Sequence, residues 1–392
     1  MVLTNMELKE LKSLLDFKKR MEYFKELLSI FRQFTQIDHI TYQQYETSEG
    51  PIPCIYIKNN GNFEDLRYLK VFVASQHNEY NGLFGILKFL NQLIYNKNDL
   101  SRIISKDQDI IFLPIMNPYG FINPRKDNKS GYFLKNGTNL NRFWRRTFAS
   151  EHLLSRNDSK GNPLPEHSKI VKKILQKYWN KEDIYIYILD YHETSLLDKF
   201  SIDLLNNFSE KLTTYKFDHW LKEGIILNVI KLFKIPYYKK PLFIKCDQSA
   251  DHTHINLTNA QLKTVYEKLK KYIAKNSGKL PFYFCYSDIS KDFCKRLSNR
   301  IYEKLKDILW ETYYPAFDHH FHDHGCFVKM SDAISRKNVY TMELESQKQF
   351  FDIFDEFKKS KSDPDYFKKK LYSMNLGIEL ALESIKEMIK IF

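Results

Sequence analysis

Long apolar runs are missing from this 392-residue chain. No stretch approaches the ~18 consecutive apolar residues of a membrane-crossing helix, so no membrane span is expected. The opening residues, MVLTNMELKELKSLLDFKKRMEYF, mix charge into an amphipathic helical pattern and hold no apolar core of the kind a secretory leader carries. A cytoplasmic location is the default expectation, and export by a leaderless route would leave no mark in these residues. Cysteine is scarce and odd in number. The five (Cys54, Cys246, Cys285, Cys294 and Cys326) include no CxxC pair, which argues against a disulfide framework and fits a reducing compartment. Glycine and proline, 12 of each, exclude a collagen-like or low-complexity chain.

What is abundant is charge, lysine above all, with a formal net charge of +13. Such a surplus can attract polyanions. Here the lysines are scattered through stretches such as KELKSLLDFKKR and KKYIAKNSGK, which read as solvated helix faces, so no nucleic-acid partner is expected. Hydrophobic residues at 43% and aromatics at 15% supply a sizeable core, and with no internal repeat or low-complexity linker along the chain one elaborated domain is expected over two.

Periodicity divides the chain. Leu8, Leu11, Leu15, Phe17, Met21, Phe24, Leu27, Leu28 and Phe31 recur at roughly helical spacing, predicting helix over 6–34. Two strands are expected around the Gly-Pro turn of 39–59, then a strand at 68–75, a helix at 82–95 and a buried strand at 109–120. A helix near 165–180 precedes the strand DIYIYILDYHETS (183–195). Beyond 200 the pattern loosens, with helices near 259–275 and 290–309. A strand returns at 338–346, and a final helix starts near 365, after Ser362-Asp363-Pro364. Strands alternating with helices predict an α/β fold on a largely parallel sheet.

Three of these strands run apolar and then break into polar groups: FVASQHNEYNG (72–82), PIMNPYGF leading to NGTNLNRFW, and ILDYHETS. A parallel sheet places its site at the carboxyl ends of its strands, so such breaks mark candidate ligands. The ordered set, Glu79 with Gly82, Asn117-Pro118-Tyr119-Gly120, Asn141-Arg142, His192 and Glu343 in YTMELES, spans about 270 residues. It resembles the zinc metallocarboxypeptidases, with their aspartoacylase and succinylglutamate desuccinylase relatives. That family has a His-x-x-Glu pair after a strand, then Asn-Pro-x-Gly, Asn-Arg, a second ligand histidine and a late glutamate.

The resemblance implies a mixed, mostly parallel eight-stranded sheet with helices on both faces over 39–392. Residues 1–38 would form a helical extension, and a large insertion would occupy about 200–330. It implies one zinc per chain, held in part by Glu79 and His192, with Glu343 as general base. Arg125 would stabilise the oxyanion, and Asn141 with Arg142 would grip a substrate carboxylate. The first ligand departs from the family pattern, because the frame set by Glu79 puts Gln76 where the family has histidine. Gln76 could bind through its amide oxygen, as in a branch acting on cell-wall peptides. His77 could bind instead at a shortened spacing, imidazole being the better zinc ligand by chemistry. Without a metal, the chain would be a binding module. The expected substrate is a peptide, cell-wall fragments included, with an N-acyl amino acid as the alternative. Weaker candidates are the His319, His320, His322 and His324 cluster, His252 and His254, Tyr313 and Tyr314, Glu193 as support for His192, and Glu345 as rival to Glu343.

Overall fold

Every residue of Ile52–Ile57 and of Gln108–Leu113 is buried, which is the mark of strands covered on both faces. The computed structural model describes residues 18–59, 61–95, 107–123, 131–149, 163–194, 220–222, 238–239, 252–256, 259–310, 330–334, 338–349 and 353–391, together with 11, 14–16, 234 and 327. Seven strands form the main sheet: β1 (Ile40–Tyr45), β2 (Ile52–Ile57), β3 (Tyr68–Val73), β4 (Gln108–Leu113), β5 (Tyr185–Thr194), β9 (Phe282–Tyr286) and β10 (Val339–Gln347). A separate three-stranded sheet is made by β6 (Trp220–Lys222), β7 (Tyr238–Lys239) and β8 (His252–Asn256).

The main sheet has the order β1-β2-β4-β3-β5-β10-β9. Its four central strands, β4, β3, β5 and β10, are mutually parallel, while β1, β2 and β9 add antiparallel edges. The sheet is therefore mixed, with seven strands among the described residues where eight were expected. Because the central strands point one way, Ala74–Tyr80, Ile115–Asn117, His192 and Glu345–Lys348 all emerge at one rim.

Helices cover both faces. On one lie α1 (Arg20–Gln33), α2 (Asn81–Tyr95), α7 (Lys291–Leu305) and α9 (Pro364–Lys390), packed against Phe72, Phe112, Leu189, Tyr191 and Leu344. On the other lie α4 (Trp144–Phe148) and α5 (Glu166–Trp179), packed against Val71, Ile111, Ile186 and Ile188. Strand residues alternate between the two clusters, as the pleat requires. Each fully buried Leu or Ile contributes roughly 1.5–3 kcal/mol, so both layers hold the sheet firmly. The remaining helices of five residues or more are α3 (Pro118–Ile122), α6 (Asn259–Lys275) and α8 (Ile353–Ser362). None of the described helices is long and apolar enough to cross a membrane.

Close approach of α2 to the sheet depends on Gly82. A Cβ there would lie 2.3 Å from Tyr191 Cβ, a distance no side chain tolerates, so the helix sits directly on β5. Within the expected insertion, α6, α7 and β9 are described, and β9 pairs with β10 as part of the main sheet. Residues 195–219 and 311–326 lie outside the described residues, and with them the His319–His324 cluster, Tyr313 and Tyr314. His252 and His254 fall on β8. Cys54, Cys285 and Cys294 are buried, and none of the three is in a disulfide.

Candidate metal centre

β3 ends at Val73 and the chain turns at once. Ser75 adopts a left-handed backbone, φ 53°, which a non-glycine residue holds only when its surroundings enforce it. Its hydroxyl donates to Glu79 O at 2.7 Å, and Glu79 N donates to His77 O at 2.9 Å. This tight loop brings the His77 and Glu79 side chains together. Strand alternation supplies the rest. Asp190 and His192 share a face of β5, and the register sets Glu343 beside Asp190 and Glu345 beside His192.

Ligand atoms of His77, Glu79 and His192 all lie within 4.8 Å of one another, as do those of Asp190, His192 and Glu343. Both histidines present Nδ1 to Glu79, His77 at 3.3 Å from Oε1 and His192 at 3.2 Å from Oε2. Both are held from behind at Nε2, His77 by Asn139 Oδ1 at 3.1 Å and His192 by Asp190 Oδ2 at 2.7 Å. Asn139 Oδ1 also accepts from Asn141 N at 2.8 Å, which identifies it as the oxygen. Each ring therefore carries its proton on Nε2 when neutral, and each Nδ1 turns a lone pair toward a carboxylate. Lone pairs facing a buried carboxylate repel unless a cation stands between them. Two imidazoles and a carboxylate are a zinc donor set, and acceptors behind both rings are the support that metal-ligating histidines need. The residues fit a metal.

Burial and neighbouring charges compete throughout the cluster. Burial disfavours charge on Glu79, but His77 and His192 outweigh it and hold the carboxyl well below its ordinary range. Burial also opposes charge on His192, yet Asp190 and Glu79 raise its pKa well above the usual value. His77 is lowered, by burial. Glu343 is pushed up to about 7, chiefly by burial.

Gln76 occupies a different place. Trp144 Nε1, which can only donate, gives its hydrogen to Gln76 Oε1 at 2.7 Å, and Gln76 Nε2 donates to Asp190 Oδ2. Its amide oxygen is thus taken, and its amide nitrogen grips the carboxylate that grips His192. Asn141 lies in the centre, with Nδ2 3.4 Å from His192 Nε2 and 3.5 Å from Glu343 Oε1, while Oδ1 accepts from Phe327 N at 2.9 Å. Arg142 is exposed, and its Nη1 donates to Asn141 O at 2.9 Å. Arg125 lies outside the described residues. Glu193 points to the opposite face, where it accepts from Tyr80 N and Asn81 N at 2.7 and 2.8 Å and caps α2 instead of supporting His192. The Asn-Pro-Tyr-Gly segment is a helix start, with Asn117 Oδ1 accepting from Gly120 N at 2.8 Å.

Asp190, Asn139 and Trp144 were not among the residues expected at the site. Asp190 carried a signal, since an Asp two positions before a strand histidine shares its face. The others had none, because their partners are distant in sequence.

No protein-family model matches the chain, and no curated protein matches it. Among solved structures, it is similar to carboxypeptidase A from Helicoverpa armigera, with 13% identity, 93% of this chain and 74% of that one covered, and a TM-score of 0.46. Bovine thrombin-activatable fibrinolysis inhibitor, solved with tick carboxypeptidase inhibitor, shows 12% identity, coverages of 93% and 96%, and a TM-score of 0.46. A metallo-carboxypeptidase from Pseudomonas aeruginosa, solved with (2-guanidinoethylmercapto)succinic acid, shows 12% identity, coverages of 94% and 69%, and a TM-score of 0.41.

Proposed function

We propose that this chain is a zinc-dependent hydrolase of the metallocarboxypeptidase kind, holding one zinc through His77, Glu79 and His192 and cleaving an amide bond beside a free carboxylate. The observation that carries the reading is the pair of Nδ1 atoms turned on Glu79, each ring held from behind by an oxygen. Zinc held there supplies Lewis acidity and makes water a nucleophile near neutral pH.

The chain's own residues do the remainder. Asn139 and Asp190 fix the rings, and Gln76 with Trp144 fixes Asp190. Glu343, 3.9 Å from His192 Nε2, takes a proton from the attacking water and returns it to the departing nitrogen. Asn141 holds the Glu343 carboxylate in place. Arg125 and Arg142 are the proposed cations for the oxyanion and the substrate carboxylate. Gln76 as a ligand was the ground for a cell-wall peptide substrate. With its oxygen on Trp144, the geometry favours His77 and leaves the peptide's origin open.

The test is zinc content of wild type, Gln76→Ala, His77→Ala and His192→Ala. Zinc is expected in wild type, retained though weakened in Gln76→Ala, and lost in the two histidine variants. Zinc kept by His77→Ala but lost from Gln76→Ala would reverse the ligand assignment. A wild type that takes up no zinc would leave the binding-module reading. Assays of C-terminal release from peptides against N-acyl amino acids separate the peptidase from a deacylase.

A further inference from the structure

Lys348 follows directly on β10 and its side chain is 1% exposed. An ammonium carries three donor hydrogens, and here Nζ has no hydrogen-bond partner. It lies 3.9 Å from Glu79 Oε1 and 4.9 Å from the centre of the Tyr132 ring. The His77 ring packs on that same tyrosine, centroid to centroid 4.1 Å. Lys348 thus occupies the rim of the metal centre, on the side of Glu79 and Tyr132.

Three ordinary explanations fail. Packing alone would be served by methionine or leucine. The two carboxylates that face it are committed elsewhere: the ion pair with Glu79 is long and both its oxygens already face imidazoles, while Glu193, which also feels the Lys348 charge, accepts from Tyr80 N and Asn81 N. A metal ligand is excluded by charge, since an ammonium has no lone pair. A buried cation whose donors are all unspent is complete only when an anionic acceptor arrives with a ligand. The arginine expected for that task, Arg142, is exposed and donates to its neighbour's carbonyl.

We propose that Lys348 binds the substrate's free carboxylate together with Arg142, receiving one of its oxygens inside the protein. The nature of the ligand rests on the hydrolase reading above, whereas the existence of an anion site does not. Lys348 then discriminates substrates by charge. Amides that end in a neutral group leave the ammonium unpaired in the interior and are rejected, because a buried donor built for a partner penalises a ligand without one.

Succinate, a small dicarboxylate, is the probe, titrated by calorimetry into the full chain both with zinc and with chelator. Wild type is expected to bind it. Lys348→Met and the neutral, polar Lys348→Gln should bind at least about tenfold more weakly, while Lys348→Arg stays within about threefold, as a charge-assisted contact predicts. Two neutral variants guard against one that fails to fold. Equal affinity in wild type and either folded neutral variant overturns the proposal, as does wild type that binds no succinate in either condition. Lys348-dependent binding in a protein that takes up no zinc would overturn the metal assignment and leave the anion site standing.

Discussion

Arg20 Nη2 donates to the Tyr80 hydroxyl at 2.6 Å inside the protein, 60 residues apart in sequence. Nη1 of the same guanidinium reaches Asn78 Oδ1 and Phe121 O, each at 2.8 Å, and Tyr80 passes its own hydrogen to Asn78 Oδ1 at 2.6 Å. The first residue of α1 therefore clamps the loop that presents His77 and Glu79. The N-terminal helix is a structural member of the site and not an appendage.

Removing that clamp should be costly. Arg20→Ala leaves buried acceptors unpaired and is expected to lower unfolding free energy by about 3 kcal/mol or more, with Tyr80→Phe costing about 1 kcal/mol. Arg20→Lys should not rescue, because three acceptors are met by a planar fork that an ammonium cannot copy. Urea denaturation measures all three. A loss under about 0.5 kcal/mol for Arg20→Ala, the range of ordinary surface changes, would show that the clamp carries little.

Glu343→Gln keeps the shape of the side chain and removes the proton acceptor. Zinc content should be unchanged, and turnover should fall by about 10²–10⁴, the usual worth of a positioned general base. Retained activity would transfer the role to Glu345.

Acid should weaken the protein through His167, at the start of α5. The ring is buried, neither nitrogen has a hydrogen-bond partner, and burial pushes its pKa down to about 4. An unfolded chain protonates this histidine near pH 6.5, before the folded one does. The favourable contribution is therefore intact above about 6.5 and is lost as pH falls toward 4, an effect on the order of 3 kcal/mol. His167→Leu should flatten the stability curve across that window. An unchanged slope in chemical denaturation at pH 7 and 4.5 would refute the assignment.

Gly82→Ala places a methyl 2.3 Å from Tyr191 Cβ, and both partners are fixed, one in α2 and one in β5. The expected loss is about 1–3 kcal/mol, read as a lower midpoint in urea. Because α2 directly follows the ligand loop, zinc affinity should fall as well.

Much of this arrangement was legible from local pattern. Glu79, His192 and Glu343 stand where apolar strands meet polar residues, and strand periodicity depends only on neighbours. β9 escaped notice because PFYFCYS is an unbroken aromatic run with no alternation to separate it from helix. The choice between Gln76 and His77 could not be made from sequence, since it turns on the Trp144 indole, 68 residues away. Lys348 belongs to no motif, and its burial against Glu79 and Tyr132 follows from tertiary packing alone.

Lys70, in the central strand β3, donates through Nζ to Met388 O at 2.7 Å, across 318 residues of chain. The 318 residues that follow it must be made before Met388 can accept this bond, although Gln76–Glu79 are made soon after the strand. Contacts of such separation slow folding and leave intermediates exposed. The ligand loop is thus made long before α9 can settle against the strand that carries it, and the sheet stays incomplete over that interval.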